Sequence, residues 1–189
     1  RALRYHGGQD AYGMPDPKAV KAGLANLEKH VENVELFGYK PVIALNRFPS
    51  DAPEEIALVR AFAEERGLPF APSEVYAQGG EGGLELAERV LEALDLPHAY
   101  RPLYPLEASL EAKVEAIATR VYGAEGVEWS EEAKRALKAA KKEGCEALPV
   151  VVAKAATSLS DNPRLRGRPR GFTVRVTDLR CRLGAGFVV

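Results

Sequence analysis

The sequence predicts an α/β fold, a parallel sheet with flanking helices. Two continuous apolar runs of strand length, Pro41–Leu45 and Leu148–Ala153, are typical of strands that are buried on both faces. Other segments repeat their apolar residues every three or four positions, which is the period of a helix. Where strands and helices alternate along the chain at these lengths, βαβ units and a parallel sheet are the expected result.

The first of these elements is a helix. Asp16 is a suitable N-cap, Pro17 fits the first helical turn, and Gly38 ends the run. The apolar residues between them lie three and four positions apart: Val20, Leu24, Leu27, Val31 and Val34. Pro41–Leu45 then forms the first strand.

A second helix and a second strand follow. The helix begins at Ser50 or Asp51, and its inner face is formed by Ile56, Val59 and Phe62. Leu68–Val75 is the next strand, although two prolines weaken it. A glycine loop, Gly79–Gly83, leads into a third helix. We expect the inner face of that helix to be formed by Leu84, Ala87, Leu91 and Leu94.

The second half of the chain contains two further helices and two strands. The apolar stripe of the fourth helix is formed by Leu106, Leu110, Val114, Ile117 and Val121. Ser130 begins the fifth helix, whose acidic first turn and basic last turn suit the helix dipole. Leu148–Ala153 is a third buried strand. Residues 172–177 alternate apolar and polar side chains, as a half-exposed strand does.

Composition and charge exclude several functional classes. The net charge of -1 argues against a broad electrostatic attraction to nucleic acid. No apolar run approaches the ~20 residues that are needed to span a bilayer. Cys145 and Cys181 lack the spacing of a zinc site, so we expect no metal site, and a reducing cytoplasm is the default location. Because the chain starts without Met and stops within an apolar run, we expect a fragment of a longer protein.

Two loops leave the carboxyl ends of the first two predicted strands, which is where α/β sheets bind ligands. The first loop is Asn46–Asp51, and the second is Ser73–Gly80. Each carries an aromatic residue, Phe48 in the first and Tyr76 in the second. Two rings on adjacent loops can form a slot for a flat ligand. The alternative is that each ring simply plugs the end of the sheet.

The glycine loop and a later arginine-rich loop each have two interpretations. Gly79–Gly83 lacks the Gly-Lys-Ser/Thr ending of a phosphate-binding loop, so it is either a flexible turn or a close-approach surface beside a helix N-terminus. Glu81 is a general base by residue type only. Four arginines alternate through residues 164–170, either as a solvated loop or as a clamp for an anion.

Motifs along the whole chain resemble those of formate–tetrahydrofolate ligase, also called 10-formyltetrahydrofolate synthetase. The most specific are Asn46–Pro49 and Ser73–Ala77 running into Gly79–Gly83. Other matching stretches occur in the same order: Arg1–Leu3 with His6–Gly8, Gly23–His30, Ile117–Thr119 with Tyr122–Ala124, Leu159–Asp161, Gly167–Pro169 with Gly171–Phe172, and Gly184–Phe187. The resemblance therefore extends from the first residue to the last.

The resemblance implies a function in one-carbon metabolism. Members of the family use ATP to join formate to tetrahydrofolate, giving 10-formyltetrahydrofolate through formyl phosphate, in a P-loop-NTPase-like fold of which this chain is the later portion. The implied cofactors are ATP and Mg²⁺, bound through a preceding region, with a monovalent cation as a further candidate. The implied partners are tetrahydrofolate, formate and ATP, in a cytoplasmic homo-oligomer that is a tetramer by family analogy, with no nucleic acid and no membrane.

The resemblance also implies a domain division and a set of site residues. Residues 1–38 end a nucleotide-binding domain, and residues 39–189 form the folate-binding domain. The aromatic pair that holds the pterin ring in the family falls on Phe48 and Tyr76. The implied pocket loops contain five further site residues: Asn46, Pro49, Gly79, Gly80 and Glu81. No catalytic residue is carried over, and because the ATP loop is missing, the chain alone is expected to be inactive.

Three departures from the family pattern support a second interpretation. Tyr76 stands where relatives commonly have Trp, Gln78 stands where they often have Lys, and Ala155–Thr157 replaces polar and aromatic residues. A non-catalytic ligand-binding or assembly module of the same fold, with a degraded site, is the alternative to a ligase.

Overall fold

The computed structural model describes residues 1–10, 13–153 and 159–189. The chain divides into two compact units, Arg1–Arg101 and Pro102–Val189. Both units combine helices with short sheets, so the predicted α/β class is confirmed. The P-loop-NTPase-like fold, and the assignment of residues 1–38 to a preceding domain, stay predictions.

The first unit is built around one parallel strand pair. Its helices are α1 (Ala2–His6), α2 (Pro17–Leu36), α3 (Pro53–Glu65), α4 (Val75–Gln78) and α5 (Leu84–Leu94), and its strands are β1 (Ile43–Asn46) and β2 (Phe70–Ser73). In the strand pair, Ile43 aligns with Phe70 and Asn46 with Ser73. The crossover from β1 to β2 runs through α3, so the predicted βαβ unit is confirmed.

Helices α2, α3 and α5 begin where the sequence predicts, within a few residues, whereas α1 and α4 have no counterpart in the prediction. The Asp16 carboxylate accepts a hydrogen bond of 3.0 Å from the Ala19 amide, and Pro17 is the first helical residue of α2. Helix α3 begins at Pro53, slightly later than the predicted start. The core between the helices and the strands is formed by Val20, Val31, Ile43, Val59, Phe62, Ala63, Leu68 and Phe70.

Helix α1 packs closely on α2 because glycine occupies both sides of the contact. A Cβ atom at Gly23 would overlap the carbonyl oxygen of Leu3, and one at Gly7 would overlap that of Ala19. Only hydrogen atoms therefore fit between the two backbones. This approach brings Arg4, on α1, into the interior, where it is 2% exposed.

The predicted orientation of α5 is wrong. Leu84, Leu91 and Leu94 are 61%, 63% and 68% exposed, and Ala87 is exposed as well, whereas Leu86 lies on the half-buried side. Helical spacing identifies an apolar stripe but not the surface that covers it. In the part of the chain that the structure describes, this stripe faces outward.

The described part of the second unit contains two α-helices and two pairs of short strands. Its helices are α6 (Leu110–Ala116), which continues as a π-helical turn (Ile117–Tyr122), and α7 (Glu131–Lys142), and its strands are β3 (Gly126–Trp129), β4 (Thr173–Val176), β5 (Cys181–Arg182) and β6 (Phe187–Val188). β3 and β4 are parallel, and β5 and β6 are antiparallel. The cap at Ser130 and the half-exposed strand β4 are confirmed. Strand β3 was not predicted.

The predicted buried strand at Leu148–Ala153 is wrong. Val150 forms only an isolated bridge with Val188, and Val151 is 48% exposed. The Tyr104 hydroxyl accepts from the Val150 amide at 2.9 Å and donates to the Val150 carbonyl at 3.0 Å. Because a side chain satisfies these backbone groups, they are not available to a neighbouring strand. Leu106, predicted to lie on a helix, is exposed and precedes α6.

A buried lysine organises the chain that follows α7. Lys113 on α6 is 0% exposed, and its ammonium donates to the carbonyls of Glu146 and Leu148, the latter at 3.0 Å. Burial lowers the pKa of this ammonium. Its hydrogen bonds hold the segment that carries Cys145.

Among the described residues, no helix is both long and apolar enough to cross a bilayer.

Cys145 and Cys181, separated by 36 positions, are joined by a disulfide with a Cα–Cα distance of 6.5 Å. In the chain-entropy description, a crosslink of this span stabilises the folded state by about 3–4 kcal/mol. We expect dithiothreitol to lower the free energy of unfolding of the purified chain by that amount in urea titrations. The Cys145→Ser/Cys181→Ser variant should not respond to the reductant. Two free thiols in a titration of the unreduced protein would contradict the pairing.

Candidate functional site

The loops that follow β1 and β2 lie side by side at one edge of the strand pair, as predicted. The Arg47 amide donates to the Ser73 carbonyl at 3.0 Å, which extends the register of the strands by one residue. The Arg47 guanidinium forms an ion pair of 2.8 Å with Glu74. The parallel register thus brings the two predicted ligand loops together, and the ion pair connects them.

Phe48 is half-buried, and its ring is covered on one face. The guanidinium carbon of Arg1 lies 3.6 Å from the ring centroid, which is cation–π geometry. The Phe48 amide donates to Asp51 Oδ2 at 2.8 Å, and the Asp51 amide donates to the Phe48 carbonyl at 3.0 Å. Reciprocal hydrogen bonds therefore close the turn from Phe48 to Asp51.

A buried network of charges lies directly behind this turn. Arg4 Nη2 donates to Asp51 Oδ1 at 2.8 Å and to Glu55 Oε2 at 2.5 Å, and Arg4 Nε donates to Glu55 Oε1 at 2.6 Å. Glu55 also accepts from the amides of Asp16 and Ala52, at 2.8 and 3.0 Å. The hydrogen bond from Arg4, with the backbone donors, lowers the pKa of Glu55 to about 2.

Tyr76 lies on the opposite loop, on the short helix α4, and it is 90% exposed. The chain then folds back, because the Glu74 amide donates to the Gly82 carbonyl at 2.9 Å. A Cβ atom at Gly82 would lie 2.6 Å from the backbone of Glu74, so this close return requires glycine. The residues Gly79–Gly83 form a 3₁₀ turn that leads into α5.

The remaining predicted pocket residues lie along the same two loops. Each of them is exposed: Asn46, Pro49, Gly79, Gly80 and Glu81. In the described part of the chain, no ring contact joins Phe48 and Tyr76. The structure places both rings at one edge, with Phe48 held by its neighbours and Tyr76 extending into solvent.

The cavities of the two units differ in size and in chemistry. A cavity of about 40 Å³ beside β1 is lined by Arg1, Arg4, Asn46, Asp51 and Glu55 among others, and it has room for water only. A cavity of about 350 Å³ lies in the second unit, between Val150–Ala153 and Val174–Arg180. It contains none of the predicted site residues. A flat ligand at the Phe48 edge would therefore lie on an open surface.

Among the residues that the structure describes, one group of potential metal ligands lies in the second unit. Ligand atoms of Glu143, Cys145 and Cys181 lie within 4.8 Å of one another, the kind of group that can hold a metal. The two sulfur atoms are bonded to each other and so provide no thiolate. The family departure at Ala155–Thr157 lies outside the described residues.

Sequence reasoning missed the charged residues that hold the Phe48 turn. Arg1 lies in one of the stretches that match the family, and Arg4 lies in none of them. A signal was present, since Asp51 and Glu55 are four positions apart at the start of a helix and would share one face. Their partner, Arg4, is 47 positions from Asp51 and 51 from Glu55 in the chain. No local sequence pattern indicates a contact over that separation.

Comparison with known proteins agrees with the motif evidence over the whole chain. The sequence model of the formate--tetrahydrofolate ligase family matches residues 1–189. The chain belongs to this family. It is 43% identical over 191 aligned residues to the formate--tetrahydrofolate ligases of Staphylococcus aureus strains JH9 and Newman. The alignment covers 100% of the chain and 34% of each relative, so the chain spans about a third of their length.

The pKa of Glu55 makes stability depend on pH in a defined direction. Folding lowers this pKa from 4.5 to about 2, so the carboxylate stabilises the fold fully above about pH 5 and loses that effect as the pH falls towards 2. The contribution is on the order of 3 kcal/mol. We expect Glu55→Gln to be strongly destabilised at pH 7, and its deficit against the parent chain to shrink by that amount near pH 2.

Urea unfolding at a series of pH values would measure this difference. Glu54→Gln is a matched control, because Glu54 is the neighbouring residue of α3 and is exposed. It should show little deficit at any pH. A deficit for Glu55→Gln that stays constant between pH 7 and pH 2 would show that Glu55 is not held by its charge.

Proposed function

We propose that this chain provides the pterin-binding side of an ATP-dependent ligase, which joins formate to tetrahydrofolate and yields 10-formyltetrahydrofolate through formyl phosphate. The observation that carries the proposal is the position of Phe48 and Tyr76. Because β1 and β2 are parallel and in register, the loops that carry the two rings lie at the same edge of the strand pair. An ion pair connects these two loops. Membership of the ligase family supplies the reaction.

The bound pterin would stack on both aromatic residues. Arg1 covers one face of Phe48, and in this proposal the pterin stacks on the other face. Tyr76 has an exposed ring that can close over the opposite side of that ligand. Each stacking contact contributes roughly 0.5–1.5 kcal/mol beyond the burial of apolar area. Around the rings, the Asn46 amide and the Glu81 carboxylate offer hydrogen-bonding groups, and Gly79 and Gly80 allow close approach to the backbone.

The nucleotide is assigned to another part of the parent protein. The 189 residues contain no Gly-x-x-x-x-Gly-Lys-Ser/Thr loop, so no residue of this chain is assigned to ATP or Mg²⁺. A monovalent cation and a tetrameric assembly are further elements of the proposal that rest on resemblance alone. A cytoplasmic location is proposed from cysteine usage and from the resemblance, and in that reducing compartment the Cys145–Cys181 disulfide would be open. In this proposal, the chain positions the amine of the folate for attack on an activated formyl group, which is formed at the nucleotide site elsewhere in the protein.

The second candidate is a non-catalytic ligand-binding or assembly module. Tyr76 and Gln78, which stand where relatives commonly have Trp and often have Lys, favour it. Under this alternative the full-length protein binds a ligand at the same edge but forms no 10-formyltetrahydrofolate. Turnover by the full-length protein distinguishes the two candidates.

Removal of either ring should weaken folate binding. Loss of burial and stacking costs about 1–3 kcal/mol, so Phe48→Ala and Tyr76→Ala in the full-length enzyme should each raise the KM for tetrahydrofolate roughly tenfold. The KM for formate should change much less, and Tyr76→Trp should keep or tighten folate binding. Steady-state kinetics with each substrate varied would measure these effects, and thermal melts would confirm folding.

Tyr100→Ala provides the matched control, because Tyr100 is another exposed tyrosine of the same unit, at 62% exposure. Its kinetic constants should equal those of the parent enzyme. If Phe48→Ala melts normally and keeps the parent KM for tetrahydrofolate, Phe48 only closes the end of the sheet and the proposed slot is wrong.

The isolated chain should be inactive. Without a phosphate-binding loop, it has no means to activate formate with ATP. We expect neither ATP hydrolysis nor formation of 10-formyltetrahydrofolate by the purified 189-residue polypeptide, measured by phosphate release and by absorbance of the folate product. Turnover that copurifies with the chain through several columns would refute this assignment of the nucleotide site.

A further inference from the structure

The Phe48 turn is connected to the interior by one carboxylate that has two partners. Asp51 Oδ2 accepts from the Phe48 amide at 2.8 Å, while Asp51 Oδ1 accepts from Arg4 at 2.8 Å. The side chain of Asp51 is only 9% exposed, and that of Arg4 is 2% exposed. A charge-assisted hydrogen bond between buried partners is short and directional, so the position of Arg4 fixes the position of the Phe48 backbone.

Arg4 is itself held rigidly. Its Nε and Nη2 groups donate to the two carboxylate oxygens of Glu55, at 2.6 and 2.5 Å. Glu55 is anchored in turn by the amides of Asp16 and Ala52, which belong to the starts of α2 and α3. A continuous series of hydrogen bonds therefore connects the starts of α2 and α3 to the Phe48 amide. It passes through Glu55, Arg4 and Asp51.

Arg1 and Arg4 lie on the same short segment and act on different parts of Phe48. Arg4 restrains the backbone through Asp51, and the guanidinium of Arg1, 3.6 Å from the ring centroid, restrains the ring. A ring whose backbone is fixed and whose one face is covered has little freedom to lose when a ligand stacks on the other face. The segment before α2 thus preorganises an aromatic surface that belongs to the loop after β1.

We propose that Asp51 and Arg4 are positioning residues for the folate site: they hold Phe48 in the orientation in which its ring stacks on the ligand. This inference rests on the proposed function. Neither residue touches the ligand, so their effect is transmitted entirely through Phe48. Glu55 has a different role, because its additional bonds to the starts of α2 and α3 make it chiefly a contributor to stability.

The test is a double-mutant cycle in the full-length enzyme. Asp51→Ala should raise the KM for tetrahydrofolate about five- to tenfold, with the KM for formate and kcat changed less than twofold. Asp51→Asn keeps an oxygen that can accept from the Phe48 amide and should raise it only about two- to threefold. In a Phe48→Ala background, Asp51→Ala should change the KM for tetrahydrofolate less than twofold, because the ring that it positions is absent.

Each outcome separates the inference from the proposed function. If Phe48→Ala raises the KM for tetrahydrofolate and Asp51→Ala does not, the positioning role is wrong while the proposed site stands. If Asp51→Ala has the same effect with and without the Phe48 ring, Asp51 acts by another route and the inference is also wrong. If Phe48→Ala has no effect, the proposed site itself fails.

Folding controls keep the test decisive. Glu54→Gln removes a neighbouring exposed carboxylate and should leave the kinetic constants and the melting temperature unchanged. Should Asp51→Ala fail to fold, Asp51→Asn and Arg4→Lys supply the same comparison. Arg4→Lys keeps the positive charge but loses the planar fork that reaches both carboxylates, so it should raise the folate KM in the Phe48 enzyme and not in Phe48→Ala. Equal effects of Arg4→Lys in both backgrounds would overturn the proposal.

Discussion

The buried contact between Arg4 and two carboxylates is the interaction on which the first unit depends. It joins α1 to the start of α3, and through Glu55 it also fixes the start of α2. An ion pair that is buried this deeply requires every partner, because removing one leaves an uncompensated charge at a cost of about 3–5 kcal/mol. The close packing of α1 on α2, which glycine at positions 7 and 23 permits, is what brings Arg4 to this position.

The candidate site combines a rigid half and an exposed half. Phe48 is fixed by Asp51 and Arg1, whereas Tyr76 extends into solvent from a short helix beside a glycine turn. The two halves lie at the same edge because β1 and β2 are parallel and in register, and the ion pair of Arg47 with Glu74 connects their loops. A flat ligand bound here would be oriented by the fixed ring and covered by the exposed one.

The second unit shows how side chains can replace backbone pairing. The hydroxyl of Tyr104 satisfies the amide and the carbonyl of Val150, and the ammonium of Lys113 satisfies two carbonyls of the preceding segment. The apolar run there remains irregular, although its composition is typical of a strand. The Cys145–Cys181 disulfide then connects this segment to β5. A buried apolar run has the same composition whether or not its backbone pairs with a neighbouring strand. Composition alone therefore could not distinguish this run from a true strand.

The sequence by itself determined the α/β class, the helix caps at Asp16 and Ser130, and the edge at which the loops that carry Phe48 and Tyr76 lie, because caps and parallel crossovers depend on local chemistry and short connections. The family also followed from motifs in the sequence. Only the tertiary structure decided that the leucine stripe of α5 faces outward and that Arg4 reaches Asp51. A periodic pattern records which residues share a face, whereas what lies against that face is set by residues distant in the chain.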